Sequence, residues 1–277
     1  MIGADYWTRN IVIPRVTPLA SIPVLDGVRN WFVDLRVGDG DLERLLAILD
    51  SGEQARAMRF AMTHLTRRFV ASHAALRVML GRILGIAPEA VQFRYGAKGK
   101  PSLVEGLGAD ELKFNLSHSG DAAVIAITER REVGIDLEQT NSHLDVEPLA
   151  AQFFAPAEHS WVVSTPSNLR CEAFYICWTA KEAYVKARGD GLSFELSDFE
   201  VLPSPKGDGL RLTVYQDAAE ATRWTLRRLD LPAGWVGGRN SRGSLPVRPN
   251  DSCSVLVELQ QSTQALSSYN WRLGAWS

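Results

Sequence analysis

Asp136 and Glu138 lie two residues apart in VGIDLEQ. On a strand, that spacing puts both carboxylates on one face, while Ile135 and Leu137 turn to a core. Two carboxylates this close repel, so the pair stays solvated, carries a raised pKa or recruits a cation. With no His or Cys beside them, such hard oxygen donors suit Mg²⁺ better than zinc. A solvated acidic edge strand is the commoner outcome for this spacing alone. A second pairing occurs in WTAKEAYVKARGDGL, Trp178–Leu192. Glu182 and Lys186 are four apart, with Trp178 one turn earlier, so on a helix all three share a face. A surface ion pair worth a few tenths of a kcal/mol is the simpler outcome here. Yet Phe174, Tyr175, Trp178 and Tyr184 leave little of the helix for water. Lys181 is about 100° round from Glu182, where it either reaches a phosphate from the side or faces solvent.

Two further stretches carry anion-binding groups. FNLSHS sets Ser117 and His118 at a strand end, just before a turn. There a hydroxyl and an imidazole can donate to phosphate oxygens, or form half of a nucleophilic dyad. An ordinary turn histidine is the commoner outcome. AKGKP sets Lys98 and Lys100 beside two glycines, a pattern that can cradle a phosphate or simply lie in water. Neither G-x-x-x-x-G-K-[ST] nor G-x-G-x-x-G occurs, so the nucleotide folds those motifs mark are unsupported.

Several elements must hold these groups. NWFVDLRV (Asn30–Val37) alternates as a strand. Leu42, Leu45, Leu46 and Leu49 repeat at helical spacing behind Asp41, a plausible N-cap. Thr63–Gly85 predicts a long helix with a stripe through Phe69, Ala75, Leu76, Met79, Leu80 and Ile83. Val91 and Phe93 suggest a short strand. LKFNLSHSGDAAVIAIT predicts a hairpin turning at Gly120-Asp121, with Ala122–Ile127 buried. In the second half, FFAPAEHSWV leads into helical EAFYICWTAKEAYVKAR. Strands are expected at FELSDFEVL, LRLTVY, RWTLRRL and SCSVLVEL. The Gly-, Pro- and Arg-rich stretch from Leu231 to Ser252 predicts a long exposed loop. Both halves run helix, then strands, which suggests a weak internal repeat with a boundary near residue 130.

The 277 residues are 45% hydrophobic, enough for one large core or two smaller ones. A formal charge of −2 without a basic stripe argues against a nucleic-acid partner. Three cysteines, Cys171, Cys177 and Cys253, without CxxC spacing fit neither a disulfide framework nor a zinc site. Asp5, Arg9 and Arg15 interrupt the apolar run that a secretory leader needs, and no stretch approaches a membrane span. A cytoplasmic setting is the expectation.

Taken in order, GKP (Gly99–Pro101), FNLSHSG (Phe114–Gly120), GIDLE (Gly134–Glu138) and WTAKEAYVK (Trp178–Lys186) resemble the signature blocks of the 4′-phosphopantetheinyl transferases, specifically the larger surfactin-synthetase type. The resemblance runs from about Arg56 to Leu192. It implies transfer of the phosphopantetheine arm of coenzyme A to a serine of an apo acyl or peptidyl carrier protein, leaving adenosine 3′,5′-bisphosphate. It implies an α+β pseudo-dimer of two similar halves, 1–129 and 130–277. Each half would lay a long helix on a small antiparallel sheet, with the active site in the cleft between them, and the chain would work as a monomer. By resemblance, Asp136, Glu138 and Glu182 hold Mg²⁺, with Mn²⁺ as a possible substitute, against the coenzyme's diphosphate. Glu182 is the base for the incoming serine, and Lys186 stabilises the leaving group. Ser117 and His118 contact phosphates, and Lys100 sits near the nucleotide; Lys98 and Lys181 stay cofactor-binding candidates on their own positions and not by the resemblance. Where the family often carries a basic residue ahead of its first long helix, RFAMTHLTRR has Thr63 and His64. Arg59, Arg67, Arg68 and Arg77 are the candidate substitutes, Arg59 and Arg68 foremost.

Two other classes fit part of this pattern. A non-catalytic carrier-protein or coenzyme A binding module would keep the cleft without the metal, although the intact Asp136, Glu138, Glu182 and Lys186 argue against it. A metal-dependent hydrolase of a nucleotide diphosphate would use the same carboxylates.

Overall fold

The structure is a computed structural model that describes residues 14–19, 27–107, 111–189, 195–204 and 209–242. The first sheet is built from β1 (Val16–Pro18), β2 (Val28–Asp34), β5 (Leu112–Ser119) and β6 (Ala122–Glu129), in the order β1-β2-β6-β5 and antiparallel throughout. Between β2 and β5 come three helices, α1 (Asp39–Leu46), α2 (Ser51–Ala57) and α3 (Thr63–Leu84). A separate ribbon pairs β3 (Phe93–Tyr95) with β4 (Pro101–Leu103).

The second sheet starts with β7 (Val133–Gln139) and continues, after helices α4 (Val146–Phe153), α5 (Pro156–Ser164) and α6 (Ser167–Arg188), with β8 (Phe199–Pro203) and β9 (Leu210–Val214). A short helix α7 (Ala218–Ala221) precedes β10 (Trp224–Arg228) and β11 (Trp235–Arg242). Its order is β7-β11-β10-β9-β8, so β7 and β8 are its two edges.

The long helices α3 and α6 have 22 residues each and both end on a left-handed glycine, Gly85 and Gly189. Such a residue lets the chain leave the helix without a Cβ clash. The stripe expected on α3 is the one buried: Phe69, Ala75, Leu76, Met79 and Leu80 lie in the core with Ile125 and Ile127 of β6. β6 is buried on both faces, which explains its unbroken apolar run. Ala123, Ile125 and Ile127 meet α3's core, while Ala122, Val124 and Ala126 meet Val133, Ile135 and Leu137 of β7. This second contact packs one sheet against the other.

Helix α6 lies directly on β7. A Cβ on Gly134 would come within 2.0 Å of the Ala183 carbonyl oxygen and 2.4 Å of the Ala187 nitrogen. Glycine at 134 is thus what lets the strand carrying Asp136 approach the helix carrying Glu182.

Some expectations need correction. Helix α1 begins at Asp39 with Gly38 as N-cap, and Asp41 lies inside it. FFAPAEHSWV spans the break between α4 and α5, where Pro156 opens the new helix. Within FELSDFEVL, a 3₁₀ turn at Leu196–Asp198 precedes the strand. The loop expected from Leu231 contains β11, a central and largely buried strand. Gly237-Gly238 there reads as a turn but serves close packing, since a Cβ on Gly238 would sit 3.0 Å from Ala180 Cα. Arg77, a candidate anion ligand, is instead a buried strut. Its guanidinium donates to Asp50 at 2.5 Å, Glu53 at 2.6 Å and the Val91 carbonyl at 2.7 Å. SCSVLVEL lies outside the described residues.

Candidate active site

Asp136 and Glu138 project from β7 toward α6, which presents Glu182 and Lys186 one turn apart. Lys186 Nζ donates to Asp136 Oδ1 at 2.5 Å and to Ser117 Oγ at 3.0 Å. Ser117 in turn donates to the same Asp136 oxygen at 2.7 Å. Asp136, Ser117, Lys186 and Glu182 therefore converge where β5, β7 and α6 meet.

The cluster is short of partners. Asp136 Oδ2 and Glu182 Oε1 are buried and accept no hydrogen bond. Burial pushes Glu182 up to about 7, with Lys186 opposing and Asp136 adding to the rise. Burial likewise pushes Glu138 up to about 8, with further repulsion from Asp136 and Glu182 and partial relief from Ser119 and Lys186. Burial works against the charge on Lys186, but Asp136 and Glu182 outweigh it and its pKa rises. Buried carboxylates without partners cost several kcal/mol each unless a cation compensates them. Lys186 compensates one oxygen and leaves two open.

Those open oxygens fit a hard divalent cation, which takes carboxylate oxygens. Among the described residues, however, no three His, Cys, Asp or Glu side chains are gathered closely enough to hold a metal between them. In this arrangement Lys186 holds Asp136 Oδ1 and leaves Oδ2 as the open donor of that carboxylate.

Two residues outside the sequence-based set complete the junction. Asn115 Oδ1 accepts from the Ile135 N–H at 2.7 Å. Ser119 Oγ donates to Glu138 Oε2 at 2.7 Å and accepts from the Gln139 N–H at 3.0 Å. Asn115, Ser117 and Ser119 are alternate residues of β5, so all three face β7. The alternation was visible in the sequence, but polar residues at period two ordinarily signal a solvated face. Here the face meets the edge of another sheet.

The remaining candidates scatter. His118 is exposed at the end of β5, and the cations acting on it are Lys186, Arg68 and Arg56. Arg68 pairs with Asp121 at 2.9 Å, in the β5–β6 turn. Arg67 pairs with Asp39 and donates to the Val37 carbonyl at 3.2 Å. Arg59 is exposed just beyond α2, and Lys98 is exposed between β3 and β4. Lys100 reaches across to the second sheet, donating to Glu132 at 2.9 Å and to the Ala187 carbonyl at 2.8 Å. It fastens the C-terminal end of α6, where a cation also complements the helix dipole.

Lys181 is not brought to the site. It is fully buried on another side of α6, where Nζ donates to Glu158 Oε1 and to the Phe199 carbonyl, both at 2.6 Å. It neither faces water nor reaches Asp136. Trp178 packs against Phe153, Phe154 and Phe174, with ring centroids 5.8, 6.4 and 5.8 Å away. It holds the helix to the core.

Comparison with known proteins gives the family. The family model "4'-phosphopantetheinyl transferase superfamily" matches residues 132–238, and "4'-phosphopantetheinyl transferase, N-terminal" matches residues 38–130. The 4'-phosphopantetheinyl transferase HetI of a Nostoc species is 41% identical over 251 residues, covering 91% of this chain and 92% of its own. The chain belongs to the 4′-phosphopantetheinyl transferase family. The transferase AcpT of Salmonella typhimurium is 38% identical over 48% of this chain and 67% of its own. Sfp of Bacillus subtilis is 25% identical over 61% of this chain and 73% of its own. This protein is accordingly a transferase of the Sfp type that delivers phosphopantetheine to carrier proteins, on a mixed α+β fold. Among the described residues, no helix is long and apolar enough to cross a membrane.

Proposed function

We propose that this transferase takes the phosphopantetheine arm from coenzyme A in a Mg²⁺-dependent reaction at the Asp136–Glu138–Glu182–Lys186 cluster, releasing adenosine 3′,5′-bisphosphate. The observation that carries the site assignment is the pair of buried, unpartnered oxygens, Asp136 Oδ2 and Glu182 Oε1, beside a lysine. Asp136 and Glu138 from a strand and Glu182 from a helix would supply oxygen donors for a hard cation. A bound Mg²⁺ would contribute Lewis acidity and charge neutralisation at the diphosphate.

The chain's own groups would divide the work as follows. Glu182 accepts the proton of the carrier serine hydroxyl, whose oxygen attacks the phosphorus that bears the pantetheine arm. The bond from that phosphorus to the oxygen of the nucleotide 5′-phosphate breaks. Lys186 turns from Asp136 to that leaving phosphate and stabilises the charge that develops there. Phosphoryl transfer depends mainly on positioning and charge neutralisation, so few other groups are needed. Ser117 orients Asp136 and meets phosphate. His118, Arg59, Arg68, Lys98 and Lys100 lie in the first half and would serve the nucleotide.

We also propose a pseudo-dimer whose halves meet near residue 130 and which acts as a cytoplasmic monomer with the cleft at the junction. Two long helices on separate sheets, and two family matches that abut at 130 and 132, support this division. Incubation with apo carrier protein, coenzyme A and Mg²⁺ should add phosphopantetheine mass to the carrier serine, and chelation should abolish it. Folded enzyme that binds coenzyme A but modifies no apo carrier would overturn the assignment.

A further inference from the structure

Ser119 is the one hydroxyl in the described cluster that touches Glu138. Its geometry is directed. The Gln139 N–H occupies an acceptor site on Ser119 Oγ at 3.0 Å, so the hydroxyl proton is left for Glu138 Oε2 at 2.7 Å. The backbone of Ser119 is itself held, because its carbonyl accepts from Trp235 Nε1 at 3.4 Å. Trp235 packs edge-on against Phe32 with ring centroids 5.8 Å apart, and its backbone pairs with Gln139. Ser119 thus stands between β5 of the first sheet and β7 of the second, fixed from both sides. The same strand aims Ser117 at Asp136 and Asn115 at the Ile135 N–H. Each β7 carboxylate therefore receives one β5 serine, in register.

A long carboxylate side chain such as Glu has three rotatable bonds and loses much rotamer freedom when fixed. Fixing one of its oxygens beforehand lowers what a ligand must spend to order it. From this we propose that Ser119 is a positioning residue: its hydroxyl sets the rotamer of Glu138, so that the metal-binding carboxylates on β7 are oriented by the opposite sheet. The inference rests on the assignment of a divalent ion to Asp136, Glu138 and Glu182. It predicts that metal affinity depends on a residue that is not a ligand. Partners that orient metal ligands typically contribute about 10- to 100-fold to affinity.

The test is a Mn²⁺ titration of the full chain at a fixed coenzyme A concentration, following loss of the free-ion EPR signal against a protein-free blank. The S119A variant should bind Mn²⁺ about tenfold more weakly than the wild type, the lower end of the range for such partners. S119T should recover most of the affinity. In an E138Q background, S119A should have no further effect, because Ser119 acts only through Glu138. Thermal melts without metal, where S119A should stay cooperatively folded and fall only modestly because the exposed Gln139 N–H can turn to water, separate lost positioning from lost folding. Equal Mn²⁺ affinity for S119A and wild type would overturn the proposal while leaving the metal assignment standing. Wild-type protein that holds coenzyme A but no Mn²⁺ would overturn both. An undiminished S119A effect in E138Q would overturn the route through Glu138.

Discussion

Helix α6 carries two buried lysine–carboxylate pairs on different sides, and they differ in what surrounds them. Lys181 and Glu158 are both fully buried and fully satisfied. Glu158 accepts from the Val201 N–H at 2.6 Å and the Ala155 N–H at 2.8 Å, while Lys181 donates to the Phe199 carbonyl. The lysine also lies over the Phe199 ring, 4.1 Å from its centroid. Together the two side chains cap the open backbone groups of β8 much as a neighbouring strand would. Lys186 and Asp136 stand at the other edge of the same sheet. That edge is capped by Asn115 and Ser119, but Asp136 Oδ2 and Glu182 Oε1 remain open. The chemistry of the two pairs is nearly identical. What separates a strut from a site is whether every acceptor is already taken, because an open buried carboxylate oxygen can still engage a cation.

This contrast can be broken by substitution. The largest effect should come from the open pair: E182Q should lower carrier modification by about 10²- to 10⁴-fold, the usual contribution of a general base. Its melting temperature should hold or rise, since a buried, unpaired charge is removed. Wild-type turnover by E182Q would contradict the assignment. The closed pair should respond in stability instead. K181M strands Glu158 as a buried charge and should cost about 3–5 kcal/mol by denaturant titration, with activity per folded molecule retained. Adding E158Q should recover part of that loss, because glutamine is neutral and still offers an acceptor to Val201. A smaller effect is expected at the β7 edge. N115A leaves the Ile135 N–H without its acceptor and should cost about 1–3 kcal/mol.

Counted per pH unit, the smallest effect comes from titration. Burial pushes His73 down to about 3, with repulsion from His118, Arg56 and Arg77 adding to the drop, although a bond to the Phe69 carbonyl opposes it. In the unfolded chain the same group titrates near 6.5 and so takes a proton first as pH falls. Stability from a neutral His73 is therefore complete above about pH 6.5 and declines toward pH 3, by at most about 1.4 kcal/mol per pH unit. H73F should flatten the acid limb of the stability profile; an unchanged limb would exclude this group as its source.

Much of this was legible in the sequence because spacing encodes faces. D-x-E on a strand and E-x-x-x-K on a helix place their groups whatever the tertiary context, and the hairpin around Gly120-Asp121 follows from alternation. Lys181 was not legible, because its angle to Glu182 on the helix says nothing about which partner waits there. Asn115 and Ser119 were hidden by an ordinary inference: polar residues at period two usually face water. β11 was hidden because Gly237-Gly238 and Arg239, Asn240 and Ser241 lack the apolar alternation of a strand, yet Arg239, Asn240 and Ser241 are almost wholly buried. Close helix approach, not side-chain hydrophobicity, specifies that strand.

The central claim is that the open carboxylates at the β5–β7–α6 junction are where a divalent ion and the coenzyme's diphosphate meet. Crystals grown with coenzyme A and Mn²⁺ and measured at the manganese edge test this most directly. The account predicts an anomalous peak within coordination distance of Asp136, Glu138 and Glu182, with Lys186 turned from Asp136 toward the diphosphate. A peak elsewhere, or bound coenzyme A with no peak at these three residues, would contradict it.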